Sequence, residues 1–246
     1  MISATIITLN EEKNIKKVLE NLKDLADEII VVDSESADKT VTIAKNLGAK
    51  VFTRKFDNFA YQKNYAVSKT TGDWVLSVDA DEEISSNLSQ EIKFAVKNKE
   101  FSGFLIPRRN FILGAEIKHS WWSPDEHVWL FKKNFGRWEG EVHEEVKVLG
   151  KIGKLKNAKL HFQENNVSNF LESNEFYSTL LANSLLKKGV RFSIIHLLWD
   201  PILEFLIRFI YKLGFLDGIR GFILSYIMAI YKIMVWIKIY ELQNLK

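Results

Sequence analysis

At 246 residues the chain can bury a full hydrophobic core, and 47% hydrophobic against 26% charged side chains excludes an intrinsically disordered polymer. A net charge of +3 is too small to mark a nucleic-acid binder, and the absence of cysteine excludes a disulfide framework and thiolate zinc sites. The charge is unevenly placed: from Lys187 onward the balance is +5, whereas the preceding residues sum to −2.

The first seven residues carry no basic leader and are soon followed by Glu11 and Glu12, so they read as a first strand (4–8) rather than a signal peptide. Asn10 is expected to cap the next helix, with Glu11 and Glu12 favourable in its first turn. Ile15, Val18, Leu19 and Leu22 recur at helical spacing and give that helix one apolar face. The alternation continues with a strand at 28–32, a helix at 37–47 stopped by Gly48, a strand at 50–53, a helix at 59–69, a strand at 74–78 and a helix from near Ser86. This rhythm predicts an α/β fold, a mainly parallel sheet with helices on both faces. After Gly103 the texture changes. Residues 103–107 and 128–132 read as strands, separated by an aromatic loop holding Trp121, Trp122, Ser123, Pro124 and Asp125. Residues 169–188 are helical. No linker interrupts the first part, so residues 1–165 read as one domain and 166–246 as a helical C-terminal region.

Chemistry concentrates where the strand at 74–78 runs into Asp79-Ala80-Asp81-Glu82-Glu83. Acids are depleted within buried strands, so these carboxylates lie where the strand leaves the sheet, the edge at which open α/β sheets bind ligands. Asp79 and Asp81 are one residue apart and can offer oxygen ligands to one divalent cation. Mg²⁺ or Mn²⁺ held by one or two carboxylates together with substrate phosphates is the usual arrangement for nucleotide chemistry. Asp33, at the end of the second strand, can accept hydrogen bonds from a ribose or base.

Three strand-end segments together resemble family 2 glycosyltransferases, enzymes of the GT-A fold that use nucleotide-diphospho-sugars: Thr8-Leu9-Asn10-Glu11-Glu12, residues 31–40 around Asp33, and Asp79-Ala80-Asp81. The resemblance implies that Thr8, Leu9, Asn10, Glu11 and Asp33 surround the base and ribose of the donor. It places Gln62, Asn64, Asp79 and Ala80 along the same nucleotide pocket. It assigns Mn²⁺ or Mg²⁺ to Asp79 and Asp81, with His143 completing the shell. One departure is Glu35, where many relatives carry glycine; a glutamate must avoid a positive φ there or accept strain.

Further segments resemble the lipopolysaccharide-core transferases of this family: residues 106–111 with Leu113-Gly114, Trp122-Ser123-Pro124-Asp125, Trp138-Glu139-Gly140, Val142-His143-Glu144 and residues 214–218. The Gln-x-x-Arg-Trp signature of processive synthases is missing, which implies a single sugar addition per encounter. Asp125 matches the base that takes the acceptor proton in an inverting transfer, with Glu141, His143 and Glu144 as runners-up. Trp121, Trp122 and Trp138 are candidates to stack on sugar rings, and Arg108 and Arg109 to hold a pyrophosphate or an anionic acceptor.

The C-terminal region is dense in Leu, Ile, Phe, Tyr and Trp with basic residues threaded through it. It reads as amphipathic helices lying in a bilayer surface, with Phe205, Phe209, Leu213 and Phe215 beside Arg208 and Lys212 and attraction to anionic lipids. The whole then describes a UDP-sugar-dependent enzyme acting on a lipid-linked glycan, cytoplasmic and peripheral on the inner face of the cell membrane. A polyprenyl phosphate acceptor, a nucleotide-binding module without catalysis, and a helical homo-oligomer interface are the alternatives. Nucleic acid is the least suited partner, because the basic residues interleave with an apolar face rather than forming a polar groove.

Overall fold

The computed structural model describes residues 1–140, 144–163 and 167–244. The chain divides into two compact units, Met1–Arg108 with Glu126–His161, and Arg109–Asp125 with Phe162–Lys246.

The first unit opens with the expected alternation: β1 (Ile2–Thr8), α1 (Ile15–Leu22), β2 (Glu28–Asp33), α2 (Thr40–Asn46), β3 (Lys50–Thr53), α3 (Phe59–Lys69), β4 (Trp74–Ser77), β5 (Glu82–Glu83) and α4 (Ser86–Ala95). Then come β6 (Gly103–Ile112), β7 (Ala115–Ile117), β8 (Asp125–Lys132), β9 (Gly136–Glu139), β10 (Glu145–Val148), β11 (Ile152–Lys154) and β12 (Lys159–Phe162). The sheet order is β3–β2–β1–β4–β8–β6–β12–β5, with β7 and β11 pairing β6 and a separate β9–β10 ribbon. β1, β2, β3 and β4 are mutually parallel, while β8 returns antiparallel to β4. The register sets Thr8 against Asp33 and Asp33 against Thr53, so the carboxyl ends of three strands line up at one edge.

Sequence pattern explains the layering. β1 and β2 are near-continuous apolar runs because both their faces are covered. The predicted α1 stripe, Ile15, Val18, Leu19 and Leu22, is buried in the main core with Val31 and Leu76. Ile30 and Val32, facing the opposite way on the same strand, pack on Ala66 of α3.

Two local expectations change. Asn10 does not cap α1: it sits at φ 57°, and the flanking Asn14 makes no side-chain cap bond. The Asn10 Oδ1 instead accepts from the Ala37 N–H (2.9 Å) while its own N–H donates to Ser36 Oγ (2.8 Å), so the turn after β1 is locked to the turn after β2. For the same reason α2 starts at Thr40 rather than 37. The intervening residues wrap the Asp33 carboxylate, and Glu35 accepts a positive φ of 68°.

In the second unit the end of β6 pairs antiparallel with β7, Asn110 opposite Ile117. The helices are α5 (Val167–Lys187), α6 (Ile194–Leu206), which runs into a π-helical turn at Ile207–Tyr211, and α7 (Gly218–Asn244) after a short 3-10 turn. Ala182 of α5 and Tyr231, Val235, Trp236 and Ile239 of α7 form one core cluster. α6 turns its two acids inward, while His196 stays exposed. Asp200 accepts from Trp236 Nε1 (2.8 Å), and Glu204 is buried with Arg208 (2.5 Å) and Lys232 (3.7 Å). Of the outward basic-aromatic face expected from sequence, Leu213 and Phe215 are exposed and Phe205 and Phe209 half-buried, but Arg208 turns away to its inward partners. Phe205 and Phe209 stack on each other at 5.4 Å and both meet Phe222 at 5.6 Å.

Candidate active site

The first part of the site is the pair of interlocked turns. Asp33 is 1% exposed, and its carboxylate accepts from the Ser36 N–H (2.9 Å), Ser36 Oγ (2.5 Å) and Thr8 Oγ1 (3.1 Å). The Glu11 N–H donates to Thr40 Oγ1 (2.8 Å), and Leu9 stands exposed beside it in the chain. Gln62 is fully buried: its amide donates to Ser34 Oγ (2.9 Å) and the Arg54 carbonyl (3.0 Å) and accepts from Arg54 Nη1 (2.6 Å). Asn64 clasps the backbone of Trp138, donating to its carbonyl (2.9 Å) and accepting from its N–H (3.0 Å). Gln62 and Asn64 thus spend their amides on fixing the walls, rather than presenting them outward.

The second part is an ionic cluster at the end of β4. Asp79 lies 3.5 Å from Lys63 Nζ, and Lys63 bonds Glu144 at 2.7 Å. The Asp79 N–H donates to Glu82 Oε2 (2.9 Å), and that carboxylate is fully buried against Lys159 Nζ (2.6 Å) and Arg108 (3.4 Å). Asp81 pairs with His161 Nε2 at 3.1 Å, and Ala80 between the two aspartates is buried. Three cations, Lys63, Arg108 and Lys159, lie within 5.5 Å of the Trp129 ring centroid, Lys159 at 3.4 Å.

Charge states follow from this packing. Burial pushes the Asp79 carboxyl up, but Lys63, Lys159 and Arg108 overcome it and hold it well below the usual carboxylate range. Burial likewise works against charge on Lys63, yet Asp79 and Glu144 hold it well above an ordinary lysine. For Lys159 burial wins over the attraction of Glu82, and its pKa is pushed down. Asp79 and Asp81 keep side-chain exposures of 30% and 31%, so two carboxylates open to solvent above a closed ionic floor.

Asp125 belongs to the second unit. Asn110, 1% exposed, donates from Nδ2 to the Asp125 carboxylate (2.9 Å) and to the Trp122 carbonyl (2.7 Å), which ties the acid to its loop. The same loop is anchored by Asp217, which accepts from the N–H groups of Lys118 (3.1 Å) and His119 (2.9 Å), and by Arg208, which donates to the Ser120 carbonyl (2.8 Å). Trp121 is exposed over Arg208, so a sugar-stacking role stays open to it. Trp138 is 3% exposed and fills the core against Phe131, which removes it as a stacking platform. Arg109 is engaged by Glu116 through two 2.8 Å bonds.

His143 and Glu141 lie outside the described residues. Among the described residues no group of three or more His, Asp or Glu side chains is arranged to hold a metal. Two partly exposed carboxylates, Asp79 and Asp81, nevertheless suit a hard cation that takes its remaining oxygens from a pyrophosphate and water. Lys63, Glu82 and Lys159 are the site residues that sequence reasoning passed over, while His161 ranked below His143 as a metal-ligand candidate. The signal for Lys159 was a lone lysine in the strand-like run 158–162, where an unpaired charge has no place.

A mixed sheet with an acidic pair at the carboxyl end of a central strand is the frame of the site, and comparison with known proteins gives its class. The sequence pattern of glycosyl transferase family 2 matches residues 3–145. An uncharacterized glycosyltransferase of Rickettsia typhi is 32% identical over 98% of this chain and 87% of its own. A lipopolysaccharide core biosynthesis glycosyltransferase of Rhizobium meliloti is 28% identical over 100% of this chain and 94% of its own. The chain belongs to glycosyl transferase family 2 and is a glycosyltransferase. Its GT-A fold is shared with glucosyl-3-phosphoglycerate synthase from Mycobacterium tuberculosis, at TM-score 0.51 and 19% identity, covering 78% of this chain and 81% of that one. Mannosyl-3-phosphoglycerate synthase from Rubrobacter xylanophilus shares it at TM-score 0.50 and 14% identity, over 77% and 75%.

Proposed function

We propose that the protein is a metal-dependent, inverting, non-processive glycosyltransferase that moves a sugar from a UDP-sugar to a lipid-linked glycan such as lipopolysaccharide core. The observation that carries this reading is the Asp79–Asp81 pair, partly open to solvent at the carboxyl edge of the sheet, with Asp79 kept charged by Lys63, Lys159 and Arg108. Full-length similarity to a lipopolysaccharide core transferase supports the acceptor class.

In this reading Asp79 and Asp81 would hold Mn²⁺ or Mg²⁺, which would supply Lewis acidity at the donor diphosphate. Lys63 keeps Asp79 charged and in place. The turns around Asp33 and Asn10 bind the nucleoside, with Gln62 and Asn64 fixing their supports. Asp125 takes the proton of the acceptor hydroxyl as that oxygen attacks the anomeric carbon, and the sugar–phosphate bond breaks with its electron pair going to the nucleoside diphosphate. Asn110 donates to the Asp125 carboxylate and so orients it. A lipid-linked acceptor brings the enzyme to the inner face of the cell membrane.

Incubation with a panel of UDP-sugars and lipid-linked core saccharide, followed by NMR of the product anomer, tests the proposal. It expects Mn²⁺-dependent release of UDP with one added sugar of inverted configuration. Turnover undiminished by EDTA, or a retained anomer, would overturn it.

A further inference from the structure

α6 is amphipathic with its polarity reversed. Asp200, Glu204 and the following Arg208 face inward and are paired. Its outward stripe is Ile194, Ile195, Leu198, Trp199, Ile202 and Leu206, all exposed, with Leu198 61% and Trp199 57% accessible. Ile210 and Tyr211 of the π-helical turn prolong it, and Tyr211 is 76% accessible. The stripe runs for roughly 25 Å and carries no charged residue. A helix that hides its charges and shows its large apolar side chains is matched only by an apolar medium or partner.

The charges at its ends choose between those. Lys187, Lys188 and Arg191 precede the stripe, and Lys212 and Arg220 follow it. Two copies paired along α6, parallel or antiparallel, would set cations against cations. An anionic lipid surface meets both ends with opposite charge. A spanning helix fits less well. Gly214–Asn244 is long and apolar enough to cross a membrane by length and composition, with a mean hydropathy of 1.7. Its mid-helix lysines are ion-paired, however, Lys232 to Glu204 (3.7 Å) and Lys238 to Glu175 (2.6 Å). Crossing the bilayer would carry these ion pairs, with α5 and α6, into hydrocarbon.

We infer that the α6 stripe from Ile194 to Tyr211 is the surface by which the protein lies on an anionic phospholipid bilayer, with the apolar side chains below the headgroups and the basic ends among them. The proposed lipid-linked acceptor gives this surface its setting, but the docking does not depend on a bound donor.

Full-length protein is sedimented with vesicles of phosphatidylcholine alone and of phosphatidylcholine with 30% phosphatidylglycerol, the second composition being chosen for its charge. Wild type is expected to bind the anionic vesicles at least tenfold more tightly than the neutral ones and to be released by alkaline carbonate. I195E/W199E should lower binding to both at least tenfold, and K188E/R191E should lower it on anionic vesicles alone; circular dichroism checks that both variants remain folded. Wild type that ignores both vesicles, or binds them unchanged in I195E/W199E, overturns the inference. So does a dimer in analytical ultracentrifugation that I195E/W199E dissociates, which would give α6 to a second copy, and so does a bound fraction resistant to carbonate, which would give the membrane to α7. Calorimetry of UDP and Mn²⁺ on the same preparations reads the donor site separately, so loss of either property is assigned without ambiguity.

Discussion

In the first unit the charged groups lie inside because they answer one another: Glu82 and Lys159 are both fully buried, 2.6 Å apart, beneath a carboxylate pair that stays open to solvent. Along α6 of the second unit the charges also lie inside, but there the exposed face left behind is apolar. Buried ion pairs seldom add stability over apolar replacements of the same volume, so both sets call for another use. At the sheet edge that use is an electrostatic floor that keeps Asp79 ionised. In α6 it is orientation, since Asp200 and Glu204 decide which side of a largely apolar helix packs inward.

The contrast can be broken first at its strongest point. Glu82→Ala leaves Lys159 buried without its carboxylate and is expected to cost about 3–5 kcal/mol in urea unfolding. Glu82→Leu with Lys159→Met should recover most of that stability while losing the restraint on Asp79. A carboxylate elsewhere in the same unit supplies a reference. Burial pushes Glu28 up, but Lys50, Ser3 and the backbone N–H and hydroxyl of Thr71 outweigh it and lower its pKa from 4.5 to about 2. A depressed carboxylate stabilises fully above its unfolded pKa and loses that contribution as pH falls through the folded one. Glu28 therefore contributes about 3 kcal/mol at neutral pH, lost between pH 4.5 and about 2. Glu28→Gln should flatten the acid limb of the stability–pH profile over that window. Glu204→Ala is expected to cost less, about 2 kcal/mol, because Arg208 keeps the Ser120 carbonyl as a partner. The smallest effect has the opposite sign: Glu35→Gly should stabilise by about 1 kcal/mol by relieving the positive φ, read as a raised urea midpoint at constant m value.

The strand and helix alternation to α4 was legible from short β-rich runs and from stripes such as that of α1, and α3 falls on the expected bounds 59–69. Asp79 and Asp81 were legible because acids at the end of a Val-Leu-Ser-Val run have one place to go. The floor beneath them was not, since Lys63, Arg108, Lys159 and His161 come from four distant stretches that only the sheet topology brings together. Asn10 misled for a related reason: its cap-like context is local, whereas its partners, Ser36 and Ala37, lie on the next strand's turn. The orientation of α6 was hidden as well. A helix apolar on most sides carries little periodic signal, and three inward charges settle its facing only when their partners are known.

Titration of UDP into wild type, Asp81→Ala and Asp125→Ala, each with Mn²⁺ and again with EDTA, tests most directly that the strand-end carboxylates hold the donor while Asp125 serves the acceptor. Wild type should bind only with the metal, Asp81→Ala at least tenfold more weakly, and Asp125→Ala as wild type despite a loss of transfer of about 10²–10⁴. Equal loss of UDP binding in both variants, or binding indifferent to EDTA, would contradict that division of roles.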